Sequence, residues 1–158
     1  MNKSIEQWLN EYGESHQNKI NKSIHWVCVP LIMLSLLGLF YTIPFKIPVT
    51  FNNNQLYIDC AIIFLSLVSL FYFKLSKTLF VGMILISIIM LYFINILNSL
   101  QWPLWKTCLV IFIVSWIGQF IGHKIEGKKP SFFKDLQFLL IGPAWLLSFI
   151  YKKLNIPI

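Results

Sequence analysis

The chain has 158 residues, 57% of them hydrophobic and 12% charged, with a mean hydropathy of +0.69. A soluble domain of this size cannot hide so much apolar surface in one core, so the composition points to an integral membrane protein. The net charge of +7 comes from lysine alone, with no arginine, and the lysines are scattered between apolar runs. That scatter argues against nucleic-acid binding and fits topology signals and contacts with anionic lipid.

Residues 1–15 are polar, carry Glu6, Glu11 and Glu14, and show no apolar core of a cleaved signal peptide. Within them, Ile5, Trp8, Leu9 and Tyr12 recur at helical spacing, with Ser4 as N-cap and Gln7 three residues later. The pattern predicts a short amphipathic helix over residues 4–14, lying on the membrane or packed on the bundle.

Four runs then approach or exceed spanning length: Ile24 to Ile43 with Pro30 inside it, Leu56 to Phe73, Leu79 to Leu100, and Leu104 to Gly122. The loop from Pro44 to Gln55 reads as a turn-rich connection. A fifth run, Leu136 to Tyr151, is short and broken by Gly142-Pro143. It is expected to be re-entrant, with a kinked span as the alternative. The expected fold is therefore all-α: a multi-pass membrane helical bundle with four spanning helices, an N-terminal amphipathic helix and a short or re-entrant C-terminal helix, forming one domain over residues 1–158. Cys28, Cys60 and Cys108 each lie inside an apolar run without Cys-x-x-Cys spacing, and read as small hydrophobes.

Up to the start of the fifth run, the lysines before, between and after the four runs number three, one, two, one and four. Positive residues favour the cytoplasmic side, so the N-terminus and the segment after the fourth run are both expected there. That parity puts all three histidines of the chain, His16, His25 and His123, on one face of the membrane.

Each histidine sits in a polar cluster at the end of an apolar run. Asn18, Asn21 and His25 share one helical stripe; Gln119, His123 and Glu126 share another. Gly118 and Gly122 form a small-xxx-small edge that lets two helices approach closely. His16 lies nine residues from His25, on the opposite side of any continuous helix, so joining the others requires a turn before that helix, with Asn18 or Asn21 as cap. Imidazole is the usual nitrogen ligand for iron and zinc. The blander reading is that the histidines are hydrogen-bonded interfacial residues, Asn18, Asn21 and Gln119 cap or join helices, and Glu126 is an ordinary surface acid. Asp59 is expected near the outer interface. Trp26, Trp102, Trp105, Trp116 and Trp145 read mostly as an interfacial belt.

At these same residues the sequence resembles a known family. The pattern His16-x-Asn18-x-x-Asn21-x-x-Ile24-His25-x-x-x-Val29-Pro30 is similar to the N-terminal signature of the Mpo-type (YGL-like) membrane proteins, known as Fe(II)-dependent 2-hydroxy fatty acid dioxygenases. A second signature runs Trp116-x-x-Gln119-Phe120-x-Gly122-His123-x-x-Glu126-Gly127-x-x-Pro130, followed by Gly142-Pro143. Ser131 departs from the alanine expected after the proline. The resemblance covers both ends of the chain, while the second and third runs are generic apolar sequence.

The resemblance implies α-oxidation, in which a 2-hydroxy fatty acid and O2 yield an acid one carbon shorter, as in sphingoid-base breakdown. It implies Fe2+ held by His16, His25 and His123, with Glu126 as a fourth ligand or a base, and Asn21 and Gln119 orienting ligands or substrate. Lys19, Lys22 or Lys124 would attract the carboxylate, and the acyl tail would lie between helices in lipid-like surroundings. The resemblance implies the endoplasmic reticulum in a eukaryote. The all-lysine basic set and the many Ile and Asn residues point to an AT-rich bacterial genome and so to a bacterial inner membrane, and lysine parity puts the metal site on the cytoplasmic side. Two other classes fit the residues: an intramembrane zinc-dependent lipid amide hydrolase, and a non-catalytic lipid-binding or scaffold protein. Haem held between facing histidines fits less well, because the clusters lie at helix ends.

Overall fold

The computed structural model describes residues 3–51, 54–127 and 138–158. Among them are six helices and one two-stranded hairpin: α1 (Ile5–Glu14), α2 (Lys19–Tyr41), β1 (Lys46–Phe51), β2 (Asn54–Asp59), α3 (Cys60–Leu75), α4 (Lys77–Asn98), α5 (Leu104–Glu126) and α6 (Ile141–Lys153).

The expected capping box starts α1. Ser4 Oγ accepts from the Gln7 amide at 3.3 Å, and Gln7 Oε1 accepts from the Ser4 amide at 2.9 Å. The apolar face of α1 does not lie free: Trp8, Leu9 and Tyr12 pack with Ile141, Trp145 and Leu146 of α6.

Helices α2, α4 and α5 are long and apolar enough to cross a membrane. At 1.5 Å per residue, 23 residues reach about 35 Å, against roughly 30 Å of hydrocarbon. Helix α3 is apolar but has only 16 residues, about 24 Å. It is shorter than the Leu56–Phe73 run suggested because residues 56–59 belong to β2. That hairpin corrects the reading of residues 44–55 as no more than a turn-rich connection: Lys46 pairs with Asp59 and Phe51 with Asn54, antiparallel throughout. In the sequence, Val49-Thr50-Phe51 and Leu56-Tyr57-Ile58 flank the run Asn52-Asn53-Asn54, a β signal that the apolar run obscured. Asp59 then caps α3, accepting from the Ile62 amide at 2.9 Å.

The central pair is α2 with α5, and it is antiparallel: Gly122 meets Asn21, Gly118 meets Cys28 and Gly38 meets Cys108. A Cβ at Gly118 would stand 2.7 Å from Cys28 Sγ, so these glycines set how closely the two backbones approach. Cys108 is buried, whereas Cys28 and Cys60 are half-buried. Large apolar side chains such as Leu67, Leu85, Ile88, Tyr92 and Val114 point outward. Ser35, Ser87 and Ser115 are buried, and the first two return their hydroxyls to backbone carbonyls of their own helix. Large apolar side chains outside, with small and polar residues among the buried ones, suit a bundle whose solvent is lipid.

Helix α6 is where the fifth run differs most from expectation. Its 13 residues reach about 20 Å, too short for a span, and residues 141–148 are all buried. It is held on both sides. Tyr151 Oη donates to the Thr78 carbonyl of α4 at 2.8 Å, and Tyr72 Oη donates to the Leu140 carbonyl. The approach to a possible re-entrant turn lies outside the described residues. Gly142 lies so close to Tyr12 that a Cβ there would stand 2.9 Å from the phenolic oxygen. Together these contacts gather the start of α2, the α3–α4 junction, the end of α5 and α6 at one end of the bundle.

Candidate metal centre

The three histidines arrive from three different pieces of chain. His16 sits in the turn between α1 and α2, its amide donating to the Gly13 carbonyl at 3.0 Å. Asn18 caps α2, its Oδ1 accepting from the Ile20 amide at 2.8 Å. This is the break in the helix that the nine-residue spacing required. His25 stands near the start of α2 and His123 near the end of α5, and the antiparallel pairing brings them level.

The imidazole rings are 4.2 Å apart between His16 and His25, 5.2 Å between His16 and His123, and 5.1 Å between His25 and His123. All three are buried, at 2%, 1% and 7% exposure, and offer ligand nitrogens within 4.8 Å of one another. His16 Nδ1 lies 2.6 Å from the Tyr12 carbonyl and His25 Nδ1 lies 2.9 Å from the Asn21 carbonyl. A carbonyl can only accept, so in both rings Nδ1 carries the proton and Nε2 keeps its lone pair. This is how proteins fix a histidine for metal binding. His25 Nε2 is buried without a hydrogen bond of normal geometry among the described residues, with Gln119 beside it. A buried lone pair gathered with the nitrogens of two other imidazoles is costly unless something electrophilic meets it. The donor set therefore fits a divalent metal ion that takes imidazole nitrogen.

Gln119 is buried one turn before His123 on α5 and lines a small cavity of about 40 Å³ with His16, His123, Tyr12, Ser15 and Trp116. Asn21 is wholly buried; its Nδ2 donates to Glu126 at 3.0 Å and to the Ser15 carbonyl at 3.3 Å. Glu126 is placed differently from a ligand. Its carboxylate accepts from the Gln17 amide at 2.7 Å, the Asn18 amide at 2.9 Å and Asn21 Nδ2, and the cluster of possible ligands is His16, His25 and His123. A carboxylate at these amides also meets the positive end of the α2 dipole. Glu126 thus clasps the end of α5 to the turn that carries His16. Lys19 and Lys124 are exposed and Lys22 is half-buried; none of the three is among the described residues that line the cavity.

The clasp makes a prediction. Glu126→Ala should loosen the 15–18 turn, seen as faster hydrogen exchange at the Gln17 and Asn18 amides. It should also weaken metal binding by roughly 10–100-fold, the usual effect of losing an outer support. Unchanged exchange would show that the clasp does not hold the turn.

Two aromatic residues escaped the sequence reading of the site. Tyr12 stacks on His16 with ring centroids 4.2 Å apart at 12°, and the i, i+4 spacing from Tyr12 to His16 was the available signal. Trp145 packs against the same ring at 5.2 Å and is only 5% exposed. It is a core residue and not part of an interfacial belt, whereas Trp26, Trp102 and Trp105 are exposed as a belt requires. Nothing local distinguishes Trp145 from the others, since its burial comes from α6 docking on α1.

An all-helical bundle with three helices apolar enough to span a membrane encloses three imidazoles that could hold one metal ion. The chain belongs to the Mpo1-like family: the family model described as 2-hydroxy-palmitic acid dioxygenase Mpo1-like matches residues 2–154. No curated protein and no solved structure matches it.

Proposed function

We propose that this protein is a membrane-embedded, iron(II)-dependent dioxygenase that shortens 2-hydroxy fatty acids by one carbon. The observation that carries the reading is the buried cluster of His16, His25 and His123, with ligand nitrogens within 4.8 Å of one another, in a chain whose family name specifies such a substrate. His16, His25 and His123 would hold the metal. Bound there, iron(II) would supply the redox chemistry with O2 that none of these side chains possesses. One O2 balances the reaction without another reductant when the lost carbon leaves as carbon dioxide and one water forms.

The remaining work falls to the chain. The carbonyls of Tyr12 and Asn21 hold the Nδ1 protons of His16 and His25, so that each ring keeps one orientation. Tyr12 and Trp145 cover His16 and keep bulk water away. Gln119 offers an amide to the substrate's hydroxyl or carboxylate inside the cavity, and Asn21 with Glu126 keeps the His16 turn in place. Lys19, Lys22 and Lys124 supply positive charge at the same end of the bundle and draw in the carboxylate. In this reading α3 is the fourth span, and the lysine-rich end with the histidines faces the cytoplasm of a bacterial inner membrane.

The test is anaerobic iron loading of protein purified without added metal, followed by 2-hydroxypalmitate and O2. Expected are O2 consumption and the acid one carbon shorter. Stoichiometric zinc, no O2 uptake and cleavage of a lipid amide would overturn this reading in favour of a hydrolase, because the same three histidines suit zinc.

A further inference from the structure

Beside the histidine cavity runs a second, larger hollow that no polar side chain lines. It lies between α2, α4 and α6, has a volume of about 470 Å³, and is bounded by residues such as Pro30, Ile89, Phe93, Pro143 and Ile150. Its volume falls in the range of small-molecule sites. Along α2 it extends from Trp26 to Leu34, about 12 Å of helix, and so begins one residue past His25. Val29 and Met33 wall both the groove and the histidine cavity. Ile89 and Phe93, on its α4 side, are 54% and 50% exposed, so the groove opens sideways from helices apolar enough to span a membrane.

We propose that this groove seats the acyl chain of the substrate, with Val29 and Met33 as the partition between the chain and the histidines. The proposal rests on the cavity receiving the polar head of a 2-hydroxy fatty acid. An amphiphile of that kind needs a polar pocket and a dry apolar slot sharing a wall, and these two hollows supply both. Met33 is unbranched with three rotatable bonds, so its side chain can swing to join them. A chain arriving from lipid gains little by burial, because lipid tails are as apolar as the groove. The groove therefore acts through shape, setting how far the head reaches towards His25 and His123. Narrowing it should penalise long chains more than short ones. Ile89 is the place to narrow it, since its exposure lets a larger ring enter without collapsing the core.

The test uses the full chain in phosphatidylcholine nanodiscs with 2-hydroxyhexadecanoate carrying a terminal diazirine, photolysed and mapped by peptide sequencing. Expected is labelling in α4 and α6 around the groove, suppressed by excess unlabelled 2-hydroxypalmitate. In Ile89→Trp, that labelling should fall about tenfold and the ratio of KM for long chains to KM for a short 2-hydroxy acid should rise by the same factor. Ile89→Ala, which widens the groove, should keep the label. Competed labelling elsewhere in the chain overturns the groove. Groove labelling that only added phospholipid dilutes also overturns it, since the occupant would then be a bilayer chain. Competed groove labelling without turnover supports the groove and counts against the reaction assigned above, so the two failures are distinguishable.

Discussion

His25→Ala should yield a folded protein that no longer retains iron and has no turnover above background. His25 is the most buried of the three imidazoles, and its Nε2 makes no hydrogen bond of normal geometry among the described residues. Removing it leaves two possible ligands, and affinity should fall by more than the roughly 10–100-fold that loss of an outer support costs. The effect can be read without turnover. A metal that binds only the folded state stabilises it by about 2.7 kcal/mol at a hundred times its dissociation constant. Chelation should therefore lower the melting temperature of the natural protein by several degrees and leave that of His25→Ala unchanged. An alanine variant that keeps stoichiometric iron and a chelator-sensitive melt would remove His25 from the metal centre. The same measurements on His123→Ala test the contribution of α5.

Gly122→Ala should cost metal binding although it adds one methyl group to a residue that touches no ligand nitrogen. An ideal Cβ at Gly122 runs into Asn21 Oδ1 and comes within 3.5 Å of His25 Cε1. Asn21 cannot step aside freely, because its amide nitrogen is tied to Glu126 and to the Ser15 carbonyl. In an open helix Gly→Ala stabilises by about 1 kcal/mol; here overpacking should reverse the sign and cost about 1–3 kcal/mol. Either α5 moves away from α2, separating His123 from His25, or Asn21 swings out and frees the turn that carries His16. Both lower metal affinity, so a melting curve and a metal titration should shift together. A variant as stable as the parent with full metal content would show that the close approach at Gly122 does not set the site.

The parts of this protein that were legible are those whose cause is local or periodic. The Ser4–Gln7 capping box, the three long apolar helices and the opposition of the Gly118–Gly122 edge to α2 follow from spacing, and the structure places them accordingly. So does the turn at His16, because a phase argument between residues 16 and 25 needs only the geometry of one helix. The hairpin at 46–59 was hidden by an apolar run that continues across the strand–helix boundary at Asp59–Cys60. Hydropathy cannot mark such a boundary, although alternation and the Asn-rich turn could have.

What the sequence by itself determined is the set of apolar helices and the candidate ligands: three histidines in two polar clusters at helix ends. Only the tertiary structure decided which side chains serve those histidines. Glu126 became a clasp on the Gln17 and Asn18 amides, Trp145 became a wall against His16, and α6 became a buried plug with an apolar groove at its side. The physical reason is range. Helical phase and hydropathy act over a few turns of one segment, whereas these roles depend on contacts between segments roughly 50 to 130 residues apart, set by the packing of α1, α2, α4, α5 and α6.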